Sequence, residues 1–208
     1  MKNFLGLLSL LFAIVVTGCS GDDTASIGGE TTGTEIEVGS DNALQWGDGD
    51  YGVVLAHGAA FDAASWEDQA TEIADQGATV IAVEDISPGS IAAAVEQLQG
   101  DGVDAIALVG GSAGADAILQ LASEQPDLPD QLILLSPNTV VEGLGEEPKL
   151  FFASEDEPGA DIPQKLADVS PGDDNVAMIR PGDAHAQNVF DTDQGDDVLD
   201  AMLERLAR

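Results

Sequence analysis

Basic side chains are scarce in this chain. Six Lys and Arg stand against 39 Asp and Glu, a formal net charge of −33 at pH 7. That balance excludes nucleic acid as a partner, because phosphates are held by Lys and Arg. It also excludes attraction of the folded surface to an anionic membrane face. Cysteine occurs once, at Cys19, so no internal disulfide and no Cys-based zinc site can form. Histidine occurs twice, at His57 and His185. Any acid–base histidine must be one of these two. No internal repeat is visible.

What is present is a globular domain. The chain has 208 residues, 44% of them apolar, enough for one domain with a real core. The acidic excess resembles that of proteins from salt-loving organisms, whose acidic surfaces stay hydrated in brine. At low salt such a surface repels itself and destabilises the compact state. An ordinary acidic secreted protein is the plainer alternative. The near absence of Lys (Lys2, Lys149, Lys165) favours the halophilic reading.

Residues 1–18 read as a signal peptide. Lys2 supplies the positive start, and the apolar run from Phe4 to Val16 is too short to span a bilayer. The run ends in Val16-Thr17-Gly18-Cys19-Ser20, which resembles the lipobox of prokaryotic lipoproteins. The resemblance implies cleavage before Cys19 and lipid attachment there, hence an extracytoplasmic, membrane-anchored protein. Two acyl chains suffice for stable anchoring. Residues 19–33, rich in Gly, Asp, Ser and Thr, read as a flexible tether. The folded domain is expected over residues 34–208.

Within it, apolar strand-like runs alternate with helix-forming segments. Short opening strands are expected near 35–38 and 43–46, and buried strands near 51–56, 78–83, 104–109, 131–135, 149–153 and 175–179. Helices are expected over 62–76, 88–99, 113–124, 161–169 and 196–207. Asp62 and Pro88 serve as start signals, and Gly77 and Gly100 as stops. The alternation implies an α/β domain with a mostly parallel central sheet and helices on both faces. Ligands in such sheets bind beyond the C-terminal strand ends. His57, Ser112, Asp156, Glu157 and His185 all fall there.

The run Ala105 to Val109 leads into Gly110-Gly111-Ser112-Ala113-Gly114, with a helical segment following at once. Gly-x-Ser-x-Gly between strand and helix is the nucleophile-elbow pattern. It puts Ser112 on a strained turn. Gly110 and Gly114 are needed because a Cβ at either place would clash with a neighbouring strand or helix. The chain order is serine, acid, histidine. With His57-Gly58 after an early strand and Pro181-Gly182-Asp183-Ala184-His185 after the last, the chain resembles the α/β-hydrolase fold family over roughly residues 43–207. The resemblance implies Ser112 as nucleophile, His185 as base, and a carboxylate orienting His185. Asp156 is the expected acid; Glu157 stays open, because a one-residue shift at the strand end exchanges them. Backbone N–H groups of Ala59 and Ala113 are the expected oxyanion hole. His57 is read as structural, and Trp66 as core.

The segment between Pro137 and Lys149 is too short for a helical lid, so a minimal, open site is expected. The family's first strands could also be missing. The implied activity is hydrolysis of carboxylic esters or thioesters through an acyl-enzyme, in a small-esterase or dienelactone-hydrolase-like shape. No metal and no organic cofactor are expected. An open site suits small-molecule or polymer-attached esters better than long acyl chains. The alternative is a non-catalytic binding lipoprotein on the same scaffold. A nucleotide-binding domain is set aside, since neither Gly-x-Gly-x-x-Gly nor Gly-Lys-Ser/Thr occurs. The charge balance yields a first prediction: dilution from molar to millimolar salt unfolds the domain cooperatively. Circular dichroism followed through the dilution checks it, and an unchanged spectrum refutes it.

Overall fold

The computed structural model describes residues 31–207; the expected signal peptide, Cys19 and most of the expected tether lie outside them. Strands run β1 (Thr34–Val38), β2 (Asp41–Trp46), β3 (Tyr51–Ala56), β4 (Ala78–Val83), β5 (Ala105–Gly111), β6 (Gln131–Leu135), β7 (Lys149–Ser154) and β8 (Asn175–Arg180). Helices run α1 (Glu67–Asp75), α2 (Pro88–Gly100), α3 (Ala113–Glu124), α4 (Ile162–Val169) and α5 (Gly195–Leu206). All eight strands form one sheet in the order β1-β2-β4-β3-β5-β6-β7-β8. From β4 and β3 through to β8 every pairing is parallel; β1 and β2 join antiparallel.

The opening strands are therefore present, and the sheet lacks none of those the sequence places. β3 through β7 are near-continuous apolar runs because both faces of the sheet are covered. On one face, Trp66, Ile73, Val198 and Met202 pack over Val53, Leu55, Val109 and Phe152. On the other, Ile91, Leu98, Ile118, Leu119 and Leu166 pack over Val54, Ile81, Leu108 and Phe151. Thus α1 and α5 cover one side, and α2, α3 and α4 the other. Trp66 is fully buried and meets Phe190 edge-to-face at 6.1 Å.

Local signals place the ends. Asp62 accepts a hydrogen bond from the Ser65 N–H at 3.1 Å. The helix it caps begins as a 3₁₀ turn (Ala63–Trp66) and only then becomes α1. Ser87 caps α2, with Pro88 in the first turn, where its missing N–H costs nothing. The 137–148 segment carries no helix, and Leu144 packs it onto the domain. One boundary differs from expectation. Thr31 and Thr32, which fall in the expected tether, donate to Glu67 at 2.6 and 2.5 Å, so these two residues are docked on the start of α1.

Lys149 is the one buried cation among the described residues. Its ammonium donates to the carbonyls of Gly145, Glu147 and Pro171 at 2.7, 2.6 and 3.1 Å, and lies 3.6 Å from the Glu147 carboxylate. It closes the β6–β7 loop against the start of β8. Burial lowers the Lys149 pKa from its ordinary value and raises that of Glu147. Lys149→Met leaves three carbonyls and a buried carboxylate unpaired, at a cost of about 3–5 kcal/mol. A carboxyl whose folded pKa is raised above 4.5 holds its proton longer folded than unfolded. That favours folding at low pH and is lost as pH rises. Lys149 itself pulls the Glu147 pKa down, so removing it raises that pKa further; the deficit of the variant narrows on acidification, which denaturant titration of both proteins at pH 5 and pH 8 checks.

Candidate active site

β5 ends at Gly111 and α3 begins at Ala113, leaving Ser112 alone on the turn with φ 50° and ψ −112°. Few non-glycine residues adopt such backbone, and here it is held from both sides. The Ser112 N–H donates to the Leu135 carbonyl at 2.9 Å, and the Ser112 carbonyl accepts from Asp116 at 3.0 Å. A Cβ on Gly110 would lie 2.7 Å from Ile118 Cδ1, inside α3. A Cβ on Gly114 would lie 2.3 Å from the Ala56 carbonyl oxygen, inside β3. Both glycines are thus required by close approach.

The strand ends bring the polar residues together. The Ser112 Oγ lies 2.8 Å from His185 Nε2, and His185 Nδ1 lies 2.5 Å from Glu157 Oε2. The side chain of Glu157 is 1% exposed and that of His185 37%, so the carboxylate is enclosed while the imidazole meets solvent. Asp156, the expected acid, is exposed, and it is Glu157 whose carboxylate meets His185. Ser154 to Glu157 form a tight turn after β7, with Glu155 and Asp156 as its exposed middle residues. The Asp156 N–H donates to the Gly182 carbonyl at 2.8 Å, which fixes the turn. Glu157 comes back inside, and its longer side chain reaches the strand end. There Oε1 accepts from the Ser154 N–H at 2.7 Å and the Ser136 hydroxyl at 2.8 Å. A buried carboxylate with donors on both oxygens is compensated for its lost hydration.

Ser136 and Gln187 were not singled out from sequence. Ser136 sits at φ 49° just past β6, and its Oγ also accepts from the Ala186 N–H at 2.8 Å. It joins Glu157 to the segment that carries His185. Gln187 is buried; its Oε1 accepts from the Gly58 N–H at 2.8 Å, and its Nε2 donates to Ser65 Oγ at 2.7 Å. It ties the same segment to the loop that carries Ala59. The Ser136-Pro137 pair ending a strand was a signal for the first; nothing in the sequence marks the second.

Ala113 opens α3, where the first N–H groups have no intrahelical acceptor. Ala59 follows Gly58 in an exposed turn beside Ser112. Neither N–H has a protein acceptor among the described residues. His57 is buried, with Nδ1 2.8 Å from the Gly58 carbonyl and Nε2 3.1 Å from the Glu84 carbonyl. It shapes the loop and bonds to neither Ser112 nor His185. On the far side, Asp116 accepts from Asn138 N–H and Nδ2, both at 2.9 Å, and from Thr139 Oγ1 at 3.1 Å. That pins the 137–148 segment to the first turn of α3. Ser112 is only half-buried.

Fold and strand-end geometry define an α/β-hydrolase fold. The chain is similar to the crystal structure of a monoacylglycerol lipase from Paleococcus ferrophilus, with TM-score 0.65, 14% identity, and 79% of this chain and 97% of that one covered. It is also similar to the thioesterase domain of the curacin biosynthetic pathway (TM-score 0.59, 13% identity, 86% and 100% covered). A third similar structure is Est1E from Butyrivibrio proteoclasticus (TM-score 0.59, 14% identity, 85% and 99% covered). No protein-family model and no curated protein matches the chain by sequence.

The two candidate acids are separable by reactivity. Glu157→Gln is expected to slow phosphonylation of Ser112 by a fluorophosphonate about 10³-fold or more. Asp156→Asn leaves the rate unchanged. Time-resolved labelling in high salt, with folding checked by circular dichroism, measures both; equal loss in the two variants refutes the assignment to Glu157.

Proposed function

We propose that this protein is a serine hydrolase of carboxylic esters or thioesters, held outside the cytoplasm by a lipid on Cys19. The observation that carries the reading is the continuous hydrogen-bonded line from Ser112 Oγ through His185 to Glu157 Oε2. A serine hydroxyl is a weak nucleophile without a base, and here a base is in reach with its other nitrogen on a carboxylate.

His185 Nε2 takes the Ser112 proton as Oγ attacks the ester carbonyl carbon. The resulting oxyanion accepts from the Ala59 and Ala113 N–H groups. As the tetrahedral intermediate collapses, the C–O or C–S bond breaks and His185 gives the proton to the leaving alcohol or thiol. A water then repeats the sequence on the acyl-Ser112 and releases the acid. Glu157 holds the imidazole and stabilises the imidazolium as it forms.

The open surroundings of Ser112 support small or polymer-attached esters as substrates. The pinned 137–148 segment offers no apolar tunnel for a long acyl chain, which would stay in water. The lipobox-like residues support the anchor, and the acidic surface supports work in concentrated salt.

The testing experiment is hydrolysis of p-nitrophenyl esters by the full chain in detergent and molar salt, beside Ser112→Ala. Acetate is expected to be cleaved with higher kcat/KM than palmitate, and Ser112→Ala to lose about 10³-fold or more. Folded protein that neither hydrolyses acetate nor takes a fluorophosphonate overturns the reading in favour of a binding lipoprotein. Faster cleavage of palmitate overturns the substrate class alone.

A further inference from the structure

The two edges of the sheet differ in kind. β1 presents Glu35 and Glu37, both exposed, and charge on an edge strand discourages pairing with another chain. β8, the other edge, has no acidic residue in a chain that carries 39. It exposes Val176 (38%) and Ile179 (37%) instead.

The backbone of β8 is set for a further strand. The Asp174 and Arg180 carbonyls accept from Lys149 and Glu155 N–H groups, at 2.9 and 2.7 Å. Even-numbered residues therefore turn their backbone polar groups toward β7. Asn175, Ala177 and Ile179 turn theirs outward, by the alternation of a strand, and there the Ile179 carbonyl accepts from Arg180 Nη1 at 3.3 Å, leaving its second lone pair for a partner strand.

We propose that β8 is a homodimer interface, pairing antiparallel with β8 of a second copy about a two-fold axis at Ala177. In that register Ala177 faces Ala177 of the second copy, and Asn175 faces Ile179. These are the outward-facing residues, so each pair can exchange both backbone hydrogen bonds. Val176 then faces Met178 of the second copy, and Asp174 faces Arg180. Those four side chains line one face, in a groove of about 710 Å³ floored by Leu150 and flanked by α5. The groove opens at the β8 edge, so the pair joins the two grooves and covers Val176.

Charge selects a second copy as the occupant. Asp174 already bonds Arg205 at 2.8 Å, and Arg180 pairs with Asp197. Across the two-fold axis each Asp174 gains the other copy's Arg180, which gives Arg205–Asp174–Arg180–Asp197 chains of alternating sign, one on each side. Shifting the register by two residues one way places Pro181 opposite Asn175 and loses a donor; shifting it the other way places Asp174 opposite Met178 and loses the pair with Arg180. Two bodies of charge −33 repel at long range. At 1 M salt the Debye length is about 3 Å, so that repulsion is screened while close pairs persist. The pairing is independent of what Ser112 does.

The test is cross-linking of the full chain in detergent and molar salt, with Cys19→Ser in every variant so that the introduced cysteine is the one sulfhydryl whether or not Cys19 carries a lipid. In a hydrogen-bonded antiparallel pair the facing Cα atoms lie about 5.5 Å apart, within reach of a short bismaleimide. Ala177→Cys is expected to give a covalent dimer, and Ile36→Cys on the opposite edge to stay monomeric. Val176→Glu with Ile179→Glu is expected to abolish the Ala177→Cys dimer while circular dichroism stays unchanged. If that double variant has not folded, Arg180→Glu replaces it, with the same loss expected. No cross-link at 177, equal cross-linking at 36, or a dimer that survives the folded edge variant overturns the proposal.

Discussion

Among the described residues, Glu157 is the one acidic residue that is buried as a whole, and its carboxylate holds the strand ends together. A buried charge survives only if fixed donors replace its hydration. Here the donors come from the end of β7 (Ser154), the end of β6 (Ser136) and the loop after β8 (His185). Three consecutive parallel strands are thereby tied to one pair of oxygens. The described non-glycine residues with positive φ are Ser112, Ser136 and Ala186, and all three belong to this network. Each such backbone costs on the order of 1–3 kcal/mol and persists where the surroundings over-determine it.

The second constraint is distance between α3 and β3. Ser112 can stand above the sheet only because α3 starts immediately and packs tightly, and Gly110 and Gly114 are the residues that permit it. The same approach puts the Ala113 N–H at a helix start, where it has no intrahelical acceptor. Gln187 then joins the Gly58 loop to the histidine segment, so the two sides of the candidate site are braced against each other. Asp116 braces the third side by holding Asn138 and Thr139. The site is braced and open for the same reason: its loops are short and are hydrogen-bonded to the elements beside them.

Much of this was legible along the chain. Apolar runs of five to seven residues alternating with capped helical segments specify a parallel sheet covered on both faces, because a half-exposed strand would alternate instead. Asp62, Pro88 and Gly77 act locally, so their positions mark helix ends without tertiary help. Gly110-Gly111-Ser112-Ala113-Gly114 is also a local device, since a strand–turn–helix with serine at its apex needs small neighbours whatever surrounds it. With two histidines in the chain and one of them after the last strand, the partner of Ser112 was restricted to His185 or His57.

Tertiary structure decided which acid turns inward. Glu155, Asp156 and Glu157 are adjacent and all acidic, and composition gives no means of ranking them. The choice depends on where β7 stops, on the tight turn that follows, and on Gly182 and Arg180 in a distant loop and strand that pin it. Ser136 and Gln187 were hidden for the same reason: each acts through partners 21 to 129 residues away. The docking of Thr31 and Thr32 on Glu67 likewise rests on contacts 35 and 36 residues apart, invisible to composition. Sequence by itself determined what is set by neighbours along the chain: strands, caps, the elbow and the charge. Only the folded sheet decided what is set by neighbours across it, because register at a strand end moves a carboxylate by one residue and so from solvent to core.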